Sequence, residues 1–153
     1  MSLEHFAAVS NPRLAKQANL LIGEGRFVVE RLLRSSAYFV DALLVTASAR
    51  EALAPALLQT SAAPEVHVVP HDDFRRLTGY HLHQGCVAIA RRPAPLTVSN
   101  VATGARTLLL LDGIADPSNL GAVFRNAAAF DVDGIVLSPD AADPYYRKAI
   151  RVS

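Results

Sequence analysis

The sequence has little cysteine, little net charge and no long apolar run, and each scarcity excludes a class of protein. Cys86 is the one cysteine among 153 residues, so the chain cannot form an internal disulfide, which suits a reducing cytoplasm. No uninterrupted apolar segment reaches the roughly 18 residues that a membrane-spanning helix needs. We therefore expect a cytoplasmic protein that has no membrane partner.

The sequence also lacks an excess of charge of either sign. Fifteen basic and 14 acidic residues leave a formal net charge of +1, so no overall basic field indicates nucleic acid, and any RNA site, if there is one, must be a local patch. Hydrophobic residues make up 51% of the chain and charged residues 19%. This composition supplies a packed core and excludes disorder on compositional grounds.

The N-terminal part of the chain alternates between helix and strand patterns. Asn11-Pro12 pairs a helix cap with proline at the first helical position, and predicts a helix that ends near Gly23. Residues 27–29 are apolar and rich in valine, and predict a short strand leading into a helix over residues 30–34.

Three further strands and two helices complete this part of the chain. The predicted strands cover residues 42–45, 66–69 and 86–90, and the predicted helices cover 48–58, with a break or kink at Pro55, and 71–77. Strands that alternate with helices favour a parallel or mixed α/β sheet.

A composition change marks a domain boundary after the last of these strands. Residues 93–104 contain two prolines, small polar residues and a glycine, which is typical of a linker. The sequence therefore predicts one domain over residues 1–92, a linker over 93–104 and a second unit over 105–153.

The second unit begins with the run Thr107–Asp112, which predicts a strand buried on both faces. Asp116-Pro117 predicts a helix that runs to about Phe130, and residues 135–137 predict the next strand. Asp143-Pro144 repeats the pairing of a cap with proline, and predicts a last helix from Tyr145 to the end of the chain.

The helix after Asp116 carries the residues with the clearest chemistry. Arg125 lies well round from the apolar face of this helix, on a side that has glycine and alanines, where a backbone, a partner or a phosphate can approach closely. Asn119 lies in the first turn, beside backbone N–H groups that favour anions. The alternative interpretation is a solvated arginine and an ordinary helix-start residue.

Two segments of this unit resemble the SpoU/TrmH class of RNA 2′-O-ribose methyltransferases. Residues 111–130, LDGIADPSNLGAVFRNAAAF, are similar to the first motif of that family, and residues 143–153 are similar to the stretch that follows it. Asn126 and Asp131 depart from the family pattern, which usually has threonine and glycine there. Neither departure falls on Asn119 or Arg125.

The N-terminal domain is similar, more weakly, to the substrate-binding domain that precedes the catalytic domain in many members of the family. Residues 24–30 and 81–87 carry this resemblance. Together the resemblances imply an α/β protein, in which a ribosomal-protein-like α/β substrate-binding domain is followed by the first half of an α/β knot methyltransferase domain.

The resemblance also implies an activity, a cofactor and partners. It implies transfer of a methyl group from S-adenosylmethionine to a ribose 2′-hydroxyl of ribosomal or transfer RNA, by a homodimer. It gives Arg125 the role of engaging the ribose and its phosphate and helping the hydroxyl lose its proton, and it places Asn119 beside it. A fixed cation that stabilises an alkoxide would lower the barrier electrostatically.

The cofactor pocket of the family is built from a C-terminal knot, whose motifs are absent from this sequence. The chain ends inside a predicted helix, with no glycine cap or proline stop after it. We therefore expect a shortened chain that lacks the cofactor-binding residues and is inactive by itself.

Basic residues in several places are candidates for contacts with RNA phosphates. They are Arg26, Arg31, Arg34, Arg75, Arg76, Arg91, Arg92, Arg147 and Lys148. Runs of charge are often only solvated surface. His81, His83 and Cys86 have a spacing that could suggest a metal, but no fourth ligand is evident, and we expect no metal site.

Two other functions compete with an RNA-modifying enzyme. One is a non-catalytic RNA-binding or ribosome-associated module that keeps only the role of the N-terminal domain. The other is a small-molecule α/β enzyme that binds phosphate at the helix after Asp116. The second is disfavoured because Asp116 puts a carboxylate where the phosphate would lie, and no glycine-rich fingerprint precedes the helix.

Overall fold

The computed structural model describes residues 6, 11–60, 63–79 and 84–153, apart from the side chain of Arg75. The chain divides into two compact units, Met1–Pro93 and Ala94–Ser153. Each unit has its own sheet, with four strands in the first and two in the second. The mixed α/β class predicted from the sequence is confirmed.

The described residues of the first unit form four strands and four α-helices. They are α1 (Pro12–Gln17), β1 (Leu20–Glu24), α2 (Arg26–Arg34), β2 (Val40–Val45), α3 (Ala47–Leu57), β3 (Glu65–Val68), α4 (His71–Thr78) and β4 (Cys86–Arg91). The strand order is β1-β4-β2-β3. β4 is antiparallel to β1 and to β2, and β2 is parallel to β3, so the sheet is mixed.

The core of this unit lies around its central strands. In β4, Cys86 to Ala90 are all 0% exposed, and in β2, Ala42 to Val45 are at most 1% exposed. An apolar run without alternation is what a strand covered on both faces requires. One face of this core is formed by Phe6, Ala15, Leu20, Ile22, Ala42, Leu44, Phe74, Val87 and Ile89.

The predicted helix from Asn11 to near Gly23 is correct only in its first half. Asn11 caps α1 as predicted, through Oδ1, which accepts from the backbone N–H groups of Arg13 and Leu14. The helix ends at Gln17, and Asn19 takes a left-handed φ of 55°, a conformation that asparagine tolerates. The apolar residues after it form β1, which pairs with β4 and is buried from Leu20 to Gly23.

The strand predicted at residues 27–29 is wrong, because these residues belong to α2. Val29, Leu32 and Leu33 are the buried residues of that helix, and their spacing of three and four is helical. Burial at this period outweighs the strand preference of the two valines. Helix α3, Ala47–Leu57, matches the segment predicted over 48–58 to within one residue at each end, and it continues through Pro55 without a break.

The second unit contains α5 (Val98–Ala102), β5 (Leu108–Leu111), α6 (Pro117–Ala129), β6 (Gly134–Leu137) and α7 (Arg147–Val152). β5 and β6 are parallel, with Leu108 opposite Gly134. α5 lies inside the segment predicted to be a linker, and a capping box between Thr97 and Asn100 starts it. The segment is therefore partly helical, and the proposed domain limits stay a prediction.

Two expectations for the second unit need correction. Leu110 is 73% exposed, so β5 is not buried on both faces. Helix α7 begins at Arg147 rather than at Tyr145. The residues before it form a turn, in which the backbone N–H of Tyr145 donates to Asp143 Oδ1 at 3.0 Å.

Candidate active site

The loops that follow β5 and β6 lie side by side. The backbone N–H of Gly113 donates to Ser138 Oγ at 2.9 Å, and the backbone N–H of Ala142 donates to the carbonyl of Ile114 at 2.8 Å. Both loops leave the carboxyl ends of parallel strands, and ligands of open α/β sheets bind at that edge. The structure thus brings the conspicuous sequence motifs of the second unit to one edge of a sheet.

Asp116 caps α6 as the sequence predicts. Its Oδ1 accepts from the backbone N–H of Asn119 at 2.8 Å, and Pro117 occupies the first helical position. A carboxylate therefore already satisfies one of the free donors in this turn. Asn119 is exposed, so its side-chain amide is the part of the residue that could meet a substrate.

Gly121 allows α7 to pack directly against α6. A Cβ atom added at Gly121 would lie 2.3 Å from the carbonyl oxygen of Ala149 and 2.5 Å from Val152 Cγ2. Both distances are far below van der Waals contact, so a residue with a side chain cannot occupy this position without displacing α7. This close approach explains why the α6 motif has glycine directly after Leu120.

Arg125 lies one helical turn beyond Gly121 and is tied to the same neighbour. Its Nη1 donates to the carbonyl oxygen of Val152 at 2.7 Å. The last carbonyls of a helix have no partner within the helix, and a cation there also interacts favourably with the helix dipole. The guanidinium is exposed yet held in place, and it has N–H donors besides the one that binds Val152.

Two carboxyls of the second unit, Asp140 at this edge of the sheet and Asp133 at the other end of β6, have lowered pKa values. A hydrogen bond from Ser138 and one from the backbone of Asp140 itself lower the pKa of the Asp140 carboxyl. At the opposite end of β6, hydrogen bonds from the backbone N–H groups of Thr107 and Arg106 lower the pKa of Asp133. Both carboxyls are ionised at neutral pH.

The arginines of α2 have different surroundings. Arg34 Nη2 forms an ion pair with Glu30 Oε1 at 2.8 Å, and its Nη1 donates to Gln59 Oε1 at 3.1 Å. Arg26 and Arg31 are exposed, and neither forms an ion pair with another residue that the structure describes. Of the three arginines of α2 that were predicted to contact RNA phosphates, these two are thus the more available to a phosphate.

The other predicted basic residues are mostly engaged within their own unit. Arg91 forms an ion pair with Asp41 at 3.0 Å, and its guanidinium lies 5.1 Å from the centre of the Phe39 ring. Arg76 forms an ion pair with Asp73 at 3.3 Å, and Arg92 Nε donates to the carbonyl of Leu20 at 2.8 Å.

The remaining predicted contacts are those of Arg75, Arg147 and Lys148. The side chain of Arg75 lies outside the described residues. Arg147 is half-buried at the start of α7, and Lys148 beside it is exposed. Any contact that these residues make with RNA stays a prediction.

The described residues include no candidate metal site and no membrane-spanning helix. No group of three metal-ligating side chains occurs among them, and none of their helices is long and apolar enough to cross a bilayer. His81 and His83 lie outside the described residues. Cys86 is buried, and this burial raises the pKa of its thiol to about 11.

The described residues of the second unit do not by themselves enclose a site for S-adenosylmethionine. β5 and β6 pair only with each other in the part of the chain that the structure describes, and Leu110 faces solvent rather than the wall of a pocket. We therefore assign no residue to the cofactor, and the expectation that this chain lacks the cofactor-binding residues stays a prediction.

Sequence reasoning missed one conspicuous side chain. Phe27 was assigned to a strand, whereas α2 places it on the solvent side of the helix, 76% exposed. The signal that could have found it is the helical spacing of Val29, Leu32 and Leu33, which extends the helix back to Arg26.

Comparison with known proteins assigns each unit to a domain family. Residues 106–153 match the family model described as the SpoU rRNA Methylase family. Residues 23–96 match the one described as RNA 2′-O ribose methyltransferase substrate binding. The two matches follow one another along the chain and together span most of it.

Similar proteins were found by sequence and by structure. An "uncharacterized tRNA/rRNA methyltransferase" of Mycobacterium bovis is 40% identical over 93% of this chain and 48% of its own length. The 23S rRNA (guanosine(2553)-2′-O)-methyltransferase RlmP of Bacillus subtilis is 31% identical over 88% of this chain and 50% of its own length. The chain thus spans about half the length of the curated relatives it matches.

A solved structure shows the same fold. The methyltransferase AviRb of Streptomyces viridochromogenes, in complex with the cofactor S-adenosylmethionine, aligns with a TM-score of 0.76 at 22% identity. The alignment covers 98% of this chain and 57% of that one.

Proposed function

The chain belongs to the SpoU family of RNA methyltransferases, and from this premise we propose that the complete gene product methylates a ribose 2′-hydroxyl of ribosomal or transfer RNA. The membership rests on the two matched domain families. RlmP, a relative of which this chain covers 50%, is named for this reaction on 23S rRNA. S-adenosylmethionine, the cofactor of AviRb, would supply the methyl group.

Arg125 is the residue to which we assign the chemistry. A ribose hydroxyl is a poor nucleophile until it loses its proton, and a fixed cation beside it stabilises the alkoxide. The single observation that carries the assignment is the hydrogen bond from Arg125 Nη1 to the carbonyl of Val152. It positions an exposed guanidinium before substrate arrives, so its remaining donors need no reorganisation to bind the ribose or its phosphate.

Asn119 is the second residue of the proposed site. It lies on α6 less than two turns before Arg125, and its side chain is exposed while its backbone N–H binds Asp116. An amide there could orient the substrate or the guanidinium by hydrogen bonds. The proposal gives Asn119 a positioning role, whose loss should cost less activity than the loss of Arg125.

Three further properties complete the proposal. The first unit binds the RNA, which agrees with its match to a substrate-binding family. The gene product pairs as a homodimer, supported by the exposed apolar side chains Leu110 and Phe130 of the second unit. It acts in the cytoplasm, where ribosomal and transfer RNA would be its substrates.

The test is methyl transfer by the complete gene product carrying Arg125→Ala. RNA from a strain that lacks the gene serves as the unmodified substrate, and radiolabelled S-adenosylmethionine serves as the donor. Because one preorganised donor contributes about 10²- to 10³-fold to turnover, we expect at least that loss. Arg151→Ala, which removes another exposed arginine from the same unit, is the control and should keep near-normal turnover.

The outcomes separate the proposed function from its competitor. Near-normal turnover in Arg125→Ala would show that the catalytic group lies elsewhere. Wild-type protein that binds the RNA but never transfers a methyl group would instead support a non-catalytic RNA-binding module.

A further inference from the structure

Phe27 occupies an unusual place on the surface of the first unit. It is 76% exposed and lies on α2 nearly opposite the buried residues Val29, Leu32 and Leu33. On that side of the helix its ring cannot contribute to the core of this unit. Single exposed apolar residues are common, so the surroundings of the ring must decide whether this one has a function.

Those surroundings are cationic. Arg31 lies one turn after Phe27 on the same face of α2, and Arg26 lies directly before it. Both are exposed, and neither is paired within the part of the chain that the structure describes. The one acidic residue of the helix, Glu30, is already paired with Arg34. We call Arg26, Phe27 and Arg31 the α2 platform.

The start of α2 is tied to the central strand of the sheet, which fixes the platform. The backbone N–H of Arg26 donates to Gln84 Oε1 at 2.7 Å, and that of Gly25 donates to the carbonyl of Cys86 at 3.1 Å. Gly25 has a φ of 85° and Gln84 Oε1 lies 2.7 Å from where its Cβ would be, so glycine is required there. A preorganised platform loses little conformational entropy on binding.

We propose that the α2 platform binds an unpaired base of the RNA substrate, with the base stacked on Phe27 and its flanking phosphates bound by Arg26 and Arg31. An exposed aromatic ring beside two arginines that pair with no acidic residue in the described ranges suits a ligand that is both planar and anionic, as a nucleotide is. Bases inside a duplex are stacked on each other and cannot reach a ring, so the ligand is a loop, bulge or end. This inference rests on the proposed function.

The absence of tryptophan from the sequence allows a direct test. Phe27→Trp gives the 153-residue chain one tryptophan, whose fluorescence is quenched when a base stacks on it. An RNA hairpin with an unpaired loop should quench it, and the continuous duplex of the same stem should not. Leu58→Trp is the matched control. Leu58 is 88% exposed and follows α3 directly, and its neighbour Gln59 binds Arg34, at the opposite end of α2 from Phe27.

Affinity measurements separate stacking from charge. Stacking is lost in Phe27→Leu, so we expect about 5- to 150-fold weaker binding of the hairpin, while Phe27→Tyr should bind about as well as the wild type. The salt dependence of binding should be unchanged in Phe27→Leu and reduced by about one counterion in Arg31→Ala. Thermal melting should be unchanged in all three variants.

Each failure has its own meaning. A wild-type chain that binds no RNA even at low salt would contradict the RNA-binding part of the proposed function. Tight hairpin binding without quenching in Phe27→Trp, or with no loss in Phe27→Leu, would overturn the stacking proposal and leave the proposed function intact. Dissociation of a dimer by Phe27→Leu, measured by sedimentation, would also overturn it, because the ring would then bind a second copy of the chain.

Discussion

Replacing Gly121 by alanine should undock α7 from α6. The added Cβ would lie 2.3 Å from the carbonyl oxygen of Ala149, 3.0 Å from its carbonyl carbon and 2.5 Å from Val152 Cγ2. Two of these three contacts are with backbone atoms, which cannot rotate away as a side chain can. Relief therefore requires that α7 itself move, and with it the carbonyl that Arg125 binds.

Two effects of opposite sign set the magnitude. Alanine is favoured over glycine inside a helix by about 1 kcal/mol. Forcing an extra methyl group into a packed contact typically costs about 1–3 kcal/mol. Because the contacts are largely with backbone, the cost lies toward the upper part of that range, and we expect a net loss of about 1–2 kcal/mol from the α6–α7 packing.

Hydrogen exchange of the α7 amides is the appropriate assay, together with thermal unfolding followed by circular dichroism. The amides of Ala149 and Ile150, both bonded to the carbonyl of Tyr146, should exchange about 5- to 30-fold faster in Gly121→Ala. Asn126→Ala, at an exposed position of α6, is the control and should be neutral or slightly stabilising. A Gly121→Ala variant that melts higher, with α7 protection intact, would refute the reasoning.

Three further outcomes follow from single side chains. Hydrogen bonds from the backbone N–H groups of Thr107 and Arg106 hold the pKa of Asp133 below its usual value. The contribution of Asp133 to stability is therefore present above about pH 4 and is lost as the pH falls through the lowered pKa. A melting temperature that falls as steeply with decreasing pH in Asp133→Asn as in the wild type would contradict this. Burial raises the pKa of the Cys86 thiol to about 11, so a disulfide reagent at pH 8 should react at least about a hundredfold faster with the unfolded chain than with the folded one. Asp116→Ala removes the cap of α6 and should lower the unfolding free energy by about 1 kcal/mol. Asp116→Asn should keep most of that free energy, because the asparagine oxygen can still cap the helix.

The starts of α1 and α6 are predictable because a cap is a local interaction. Asn11 and Asp116 each accept from backbone N–H groups two or three residues later, and such a bond needs nothing distant in the chain. The motif that includes Asn119 and Arg125 is equally local, which is why the family resemblance was visible and the two domain families then matched. Strand β4 was predictable because a run of five apolar residues has few alternatives to a buried strand.

The misassigned segments share a different cause. The residues of β1 have an apolar pattern that fits a helix or a strand, and only pairing with β4, about 70 residues away in sequence, decides between them. The valines of α2 favour a strand locally, and contact of Val29, Leu32 and Leu33 with the sheet overrides that preference.

By itself, the sequence determined the mixed α/β class and the family, because these depend on composition, caps and a contiguous motif; its assignment of Asn119 and Arg125 to the catalytic site stays a prediction. The tertiary structure decided which arginines are available. Arg91 pairs with Asp41, 50 residues away, and Arg34 donates to Gln59, 25 residues away, whereas Arg26 and Arg31 beside Phe27 have no acidic partner among the described residues. It also decided what Arg125 touches, since Val152 lies 27 residues away in the chain. The physical reason is that a charge acts through whatever lies within a few ångströms in space, and the sequence gives only distance along the chain.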